Sequence, residues 1–242
     1  MTKLSVNVNK IALLRNSRGG KVPNVLQFSL DCLKCGADGI TIHPRPDQRH
    51  IRYRDAYELK AALTPLGVEL NIEGYPDEHF LQMVLEVRPA QATLVPDKPG
   101  QLTSDHGWNC LQEELFLKSV VSRLKAAGIR VSLFLDPDPA QVAAAAATGC
   151  DRIELYTQAY AESYPTAERD QVFAAYATTA AAAAQAGLGI NAGHDLSQEN
   201  LAFLAQNIPG LAEVSIGHAL IAEMLYQGME SNIRGYLKCL GR

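Results

Sequence analysis

Short apolar runs alternate with longer stretches of helical periodicity from one end of the chain to the other. Runs at 4–9, 39–43, 69–73, 92–95, 131–136, 152–157, 189–193 and 214–217 predict eight strands. The stretches 24–35, 52–63, 76–87, 111–127, 139–148, 167–186, 198–206 and 219–240 predict eight helices between and after them. Gly36, Gly67, Gly128, Gly149 and Gly187 each sit just past a predicted helix, where a left-handed residue ends it at low cost. Tyr75-Pro76 and Asp138-Pro139 read as helix starts. The alanine runs 143–147 and 180–184 read as helices packed closely on a sheet. The segment 157–166 is long for a connection, so a short extra helix is expected there.

Strand–helix alternation implies a parallel sheet. Eight such units in 242 residues fit an α/β fold of the (β/α)8 TIM barrel type, with additional short helices. A doubly wound open sheet would usually carry a glycine-rich dinucleotide fingerprint after its first strand, but the chain reads Asn7-Val8-Asn9-Lys10-Ile11 there. No linker divides the chain, so residues 1–242 are expected to form a single domain.

Composition narrows the function. Hydrophobic residues make up 47% and charged residues 20%, enough for a sizeable core without a metal or disulfide staple. A net charge of -4 and a pI near 5.9 argue against a general nucleic-acid or anionic-membrane surface, so any phosphate binding must be local. No stretch is long enough for a transmembrane helix, and the first residues lack the layout of a secretory signal. Cys32 and Cys35 form a CxxC, but no second pair completes a zinc set. The five cysteines are expected to be buried thiols in a reducing, cytoplasmic protein.

The candidate chemistry gathers at the strand ends, where a barrel builds its active site. The first strand ends in Asn7, Asn9 and Lys10, the second in His43 with Arg45, Arg49 and His50 beyond it, and the third in Glu73. The loop after the fourth carries Asp97, Lys98, Thr103, Asp105 and His106; the fifth ends at Asp136, and the sixth carries Glu154 and Thr157. The seventh ends in Gly193-His194 and the eighth in Gly217-His218. Four of the six histidines thus fall at or just past strand ends.

Alternation places Glu69, Asn71 and Glu73 on one face, either the barrel interior or the helix side. A carboxyl at the mouth of the interior would be partly desolvated and poised toward general-base duty, while Glu69 could be a structural partner near the bottom. The two glycine–histidine pairs allow either a close backbone approach to a phosphate at a helix N-terminus or simply tight turns. The basic, glycine-containing segment 15–21, with Arg15, Arg18 and Lys21, could be a mobile lid or a solvated loop. Together these residues predict a locally cationic mouth for a phosphorylated metabolite, with two phosphates a natural fit.

Six motifs, GITIHPRPDQRHI, NIE, LVPD with Leu102-Thr103 beyond, VSLFLD, NAGHDL and SIGHAL, resemble the pyridoxine 5'-phosphate synthase family in order and spacing over essentially the whole chain. The resemblance implies a barrel enzyme of the transferase class that closes the ring of vitamin B6. It condenses 1-deoxy-D-xylulose 5-phosphate with 3-amino-2-oxopropyl phosphate, releasing phosphate and water. It implies no metal or organic cofactor, and octamers built from dimers. It makes His43 and Glu73 acid–base residues and His194 a proton donor. Asn7, Arg18, Gly193, Gly217 and His218 would hold the amino-ketone phosphate, and Arg45, His50 and Thr103 the sugar phosphate.

The chain departs from the family at Asn9 and Lys10, where an Asp and a His usually contact the sugar phosphate. Asn9 keeps hydrogen-bonding ability without the charge; Lys10 keeps positive character with a different reach. Two rival readings remain open at this level: a lysine-imine aldolase using Lys10, and a phosphometabolite-binding protein without catalysis.

Overall fold

The computed structural model describes residues 1–97, 100–101 and 103–242. The strands β1 (Lys3–Asn7), β2 (Gly39–Ile42), β3 (Glu69–Gly74), β4 (Gln91–Leu94), β5 (Arg130–Leu135), β6 (Arg152–Tyr156), β7 (Gly189–His194) and β8 (Leu211–Ile216) close into a parallel barrel in sequence order. β8 pairs back onto β1 with Leu4 opposite Val214, and the β7–β8 register shifts once, between Ile190 and Asn191. The (β/α)8 expectation is met.

The helices are α1 (Asn9–Asn16), α2 (Val25–Lys34), α3 (Tyr53–Leu63), α4 (Glu78–Val87), α5 (Cys110–Ala126), α6 (Pro139–Ala147), α7 (Gln158–Ser163), α8 (Arg169–Gln185), α9 (Leu201–Asn207), α10 (His218–Gln227) and α11 (Met229–Cys239). Helix α7 is the short extra helix expected in 157–166. The five glycines past helices all have positive φ. Asp138 caps α6, its carboxylate accepting from the Ala140 N–H at 2.9 Å. At α4 the cap is Asp77, which accepts from the Phe80 N–H at 2.8 Å, so Tyr75-Pro76 lies before the helix and does not begin it.

Two further boundaries differ from expectation. The first strand stops at Asn7: the Val8 carbonyl accepts from the Ile11 and Ala12 N–H groups, and the chain turns at once into α1. The helix predicted over 219–240 is two helices, parted at Gly228, whose φ of 76° is open to glycine and strained for other residues.

What positions the site is the alternation along each strand. Leu4, Val6, Ile40, Ile42, Leu70, Ile72, Ala92, Leu94, Ile153, Leu155, Val214 and Ile216 are buried in the hydrophobic cluster that joins the barrel's outer face to the helices. The residues between them point inward, and they are polar: Ser5, Thr41, Asn71, Gln91, Thr93, Glu154, Asn191, Glu213 and Ser215 are all buried. They bond to one another across the interior, Ser5 Oγ to Thr41 Oγ1 at 2.7 Å, Thr93 Oγ1 to Asn71 Oδ1 at 3.0 Å and Asn191 Nδ2 to Gln91 Oε1 at 3.4 Å. Most barrels fill this space with branched aliphatic layers. Here the apolar core lies outside the sheet, and the interior is a hydrogen-bonded column that delivers ionisable groups to the mouth.

At the opposite end of that column, Glu69 binds Arg130 at 2.6 Å and Lys3 at 3.2 Å. This is the structural role left open for it. The Arg130 guanidinium, acting through that hydrogen bond, holds the Glu69 carboxyl down at about 2.

Candidate active site

Glu73 closes the inward row of β3, two residues above Asn71. The Asn7 amide donates to its Oε2 at 3.3 Å and the Ser215 hydroxyl to its Oε1 at 3.4 Å. His43 follows β2 directly, and its Nδ1 stands 3.9 Å from Glu73 Oε2. Its Nε2 stands 3.9 Å from Asp97 Oδ2 on the other side. The imidazole is therefore set between two carboxyl groups at the top of the barrel.

The electrostatics decide which of these groups carries charge. Burial pushes the Glu73 carboxyl up to about 8, and the neighbouring Asp97 charge adds to this against the Ser215 hydrogen bond and Arg45. Glu154, below it, is raised well above the usual carboxylate range by burial and then by Glu73 and Glu213. Burial also lowers the His43 imidazole well below its ordinary value, with Arg45, His50, Arg49 and His194 acting in the same sense. The two nearby carboxyls do not reverse this, because Glu73 is itself largely protonated near neutrality and Asp97 is taken up by Arg45. Around pH 7 the resting pair is a carboxylic acid and a neutral imidazole, which can give and accept a proton at one spot.

Around this pair stand most of the residues expected from the sequence. His50 meets His43 edge-on, with ring centroids 6.3 Å apart. Its Nδ1 accepts from the Ile51 N–H at 2.9 Å, so the neutral ring keeps its proton on Nε2. Burial and then Arg45, Arg49 and Lys10 push His50 down to about 4. Thr103 Oγ1 lies 2.9 Å from His194 Nε2, while His194 Nδ1 lies 2.6 Å from Asp195 Oδ2. His194 has φ 94°, a backbone state rare for a side-chain-bearing residue, and its ring stands edge-on to Tyr156 at 5.2 Å.

The two site glycines answer to side chains. A Cβ on Gly193 would lie 2.5 Å from Glu154 Oε1, and one on Gly217 would lie 3.1 Å from the Asn7 Cβ. Neither has positive φ: Gly193 lies within β7, and Gly217 joins β8 to α10. Gly217 precedes α10, and His218 opens that helix with an exposed side chain.

Other expectations change. Arg45 is buried, not free at the rim: one guanidinium nitrogen is held by Asp97 and the other donates to the Gln101 carbonyl at 3.0 Å. Asn9 and Lys10 are in the first turn of α1 and not on a strand. The Asn9 side chain accepts from the His43 N–H at 2.9 Å and so ties α1 to the end of β2. Lys10 is exposed and outside the barrel interior, where an imine-forming lysine would be enclosed.

The basic segment 15–21 is not one loop either. Arg15 ends α1 buried, forked onto Asp55 at 2.6 and 2.9 Å, with a further bond to the His50 carbonyl at 3.0 Å. Arg18 is exposed in the turn that follows. Asp136 is exposed, and Thr157 is spent on the Gly193 carbonyl at 2.6 Å. Lys98 and Leu102 lie outside the described residues. Asp97, Asp195, Glu154 and Ser215 join the site without having been assigned a part in it; Asp97 and Glu154 were signalled by their place at strand ends, Asp195 and Ser215 only by lying in the histidine motifs NAGHDL and SIGHAL.

The five cysteines are free thiols. Cys32, Cys110 and Cys150 are buried, whereas Cys35 and Cys239 are half-buried; burial pushes Cys32 and Cys110 up to about 12. No helix among the described residues is long and apolar enough to cross a membrane.

Comparison with known proteins places this geometry. Among solved structures, tryptophan synthase from M. tuberculosis in its ligand-free form matches 99% of this chain and 92% of its own, at TM-score 0.64 and 13% identity. Phosphoribosyl anthranilate isomerase from Thermotoga maritima matches 100% and 99%, at TM-score 0.60 and 15% identity. At such identities these likenesses concern the fold alone. The pyridoxine 5'-phosphate synthase of Christiangramia forsetii is 54% identical over 240 residues, covering 99% of this chain and 100% of its own length. That of Bacteroides fragilis is 53% identical with the same coverage. The family model described as pyridoxal phosphate biosynthesis protein PdxJ matches residues 4–242. With its interior carboxyls, its mouth histidines and this near-complete match, the chain belongs to the PdxJ family.

Proposed function

We infer that this protein is a pyridoxine 5'-phosphate synthase, joining 1-deoxy-D-xylulose 5-phosphate and 3-amino-2-oxopropyl phosphate with release of phosphate and water. The observation that carries the chemistry is the neutral acid–base pair, Glu73 raised to about 8 beside a His43 imidazole 3.9 Å away. Forming an imine from the amine and the sugar ketone expels water, so an acid is needed at the departing hydroxyl. Protonated Glu73 supplies it, and the resulting carboxylate then accepts a carbon-bound proton during enolisation. His43 accepts a proton on the same side and returns it as the ring closes. His194, with Nδ1 against Asp195 and Nε2 toward the mouth, serves the final proton transfers.

Phosphate leaves from the amino-ketone portion. The α10 N-terminus at Gly217-His218, with Asn7, Gly193 and Arg18, is the site that favours it through free N–H groups and positive dipole. Arg45, His50 and Thr103 are assigned the sugar phosphate, with Asn9 and Lys10 flanking them. Simple binding would not need a raised carboxyl between polar partners at the top of a buried column.

The test is direct. Purified protein with both phosphates should yield pyridoxine 5'-phosphate by absorbance and mass. Glu73→Gln should fold normally and lower turnover by at least about a hundredfold. Product formation at the wild-type rate in that variant would remove Glu73 from the mechanism.

We also propose that residues 1–242 act as one domain, in the cytoplasm, assembled as an octamer built from dimers. Exposed apolar side chains, among them Leu115 at 83% and Tyr226 at 93%, supply surface for such contacts. A monomer in sedimentation velocity at micromolar concentration would reject the assembly.

A further inference from the structure

Two buried arginine–aspartate pairs flank the mouth, and they are built differently. Arg15 and Asp55 form a two-pronged fork, each carboxylate oxygen taking its own guanidinium nitrogen at 2.6 and 2.9 Å. This is the geometry of a pair whose work is structural. Asp97 instead directs everything to one oxygen. Its Oδ2 accepts from Arg45 and from the Ser104 hydroxyl at 2.9 Å, and the same oxygen is 3.9 Å from His43 Nε2. Its Oδ1 is buried with no hydrogen-bond partner among the described residues, in a side chain only 3% exposed.

An unpartnered buried carboxylate oxygen is destabilising. Its retention points to a use the resting arrangement does not show. Arg45 is likewise committed, to Asp97 and to the Gln101 carbonyl. A phosphate that engages Arg45 must compete for that guanidinium, and each bond it wins leaves the Asp97 charge less compensated. The Ser104 hydroxyl still donates to Oδ2, and His43 Nε2, 3.9 Å from the same oxygen, can supply a positive charge.

We propose that Asp97 is a positioning residue for His43, held by Arg45 at rest and turned onto His43 Nε2 when the sugar phosphate draws Arg45 away. This rests on the assignment of Arg45 to that phosphate. The consequence is an ordered site: His43 becomes a competent base only after its substrate is seated, because binding itself supplies the anionic partner. The groups facing His43 are Glu73 from β3, Asp97 from the segment after β4, Arg45, Arg49 and His50 from the segment after β2, and His194 from β7. Of these, Arg45 and Asp97 exchange charge partners when the phosphate is seated, and Asp97 is the one that can turn to His43.

The experiment is a histidine titration by NMR on 13C-labelled full-length protein, with the His43 signal assigned by its loss in His43→Gln. The probe is 1-deoxy-D-xylulose 5-phosphate alone, which cannot turn over without the amine. In the wild-type protein the His43 midpoint should rise by at least one pH unit on saturation. In Asp97→Asn the rise should be less than half as large, and the alkaline and acid limbs of kcat should move accordingly. Ser104→Ala, which removes the second donor but not the charge, should retain the full rise.

A wild-type midpoint that stays put while the ligand binds overturns the proposal without needing any variant to fold. An equal rise in Asp97→Asn overturns it as well. If Arg45→Ala binds the sugar phosphate as tightly as wild type, the phosphate assignment of Arg45 fails, and the exchange fails with it. If Arg45→Ala abolishes binding while the His43 midpoint is static, only the exchange is lost.

Discussion

Replacing Glu73 by Gln should make the protein more resistant to alkaline conditions. The side chain is 13% exposed, so its displaced ionisation is a property of the folded state, with little solvent screening. The folded carboxyl titrates at about 8 against an ordinary 4.5, so between these values the folded chain holds a proton that the unfolded chain has released. Stability from this group is complete below the unfolded value and drains away as pH rises through the folded one.

At about 1.4 kcal/mol for each tenfold step, the whole displacement corresponds to about 5 kcal/mol, of which about 3 kcal/mol is lost between pH 6 and pH 9. Gln has the same shape and no charge, and so does not lose it. With a urea slope of about 3 kcal/mol per molar, the midpoint of Glu73→Gln should gain about 1 M on wild type between those two pH values. Glu154 shares the titration, so the slope belongs to the pair. Urea unfolding of both proteins at pH 6 and pH 9, followed by circular dichroism, reads the difference. An unchanged gap between the two midpoints would refute the claim that Glu73 is held protonated by burial.

Other perturbations read other parts of the frame. Arg15→Met leaves Asp55 buried without its fork and should destabilise the protein by about 3–5 kcal/mol in urea unfolding. It also removes one of the two side-chain donors to the His50 carbonyl, the other being Asn16, so KM for the sugar phosphate should rise more than kcat falls. Gly193→Ala puts a methyl carbon 2.5 Å from Glu154 Oε1, where nothing can yield without moving the column. Its kcat should drop at least about tenfold and its melting temperature should fall as well; a lower melting temperature with kcat unchanged would mean that the glycine serves packing and not the site.

The barrel was readable because its signals are local and repeated. Eight apolar runs separated by helical periods leave few topologies open, and the helix-ending glycines mark the boundaries. The ends were harder. Val8 continues a β-branched pattern, so residues 8–9 read as strand; the helix α1 forms because the Val8 carbonyl finds donors at Ile11 and Ala12 and Asn9 is tied to the His43 backbone. That last tie is a contact between residues 34 positions apart, invisible to any local rule. The glycine that divides the last helical stretch was in plain view, but glycine inside a helical pattern is tolerated often enough to be passed over.

For the site, the sequence by itself determined the residue types and the end of the barrel where they gather. His43, Glu73 and His194 are at the mouth because strand ends are at the mouth. It could not determine charge state or pairing, because both depend on burial and on neighbours brought from other strands. Arg45 looks like a free cation in the motif and is a buried partner of Asp97 in the fold. Arg15 looks like part of a basic loop and is a structural fork. Glu73 is an ordinary glutamate in the sequence; only the closed barrel, which removes its water and stacks it above Glu154, makes it an acid near neutral pH.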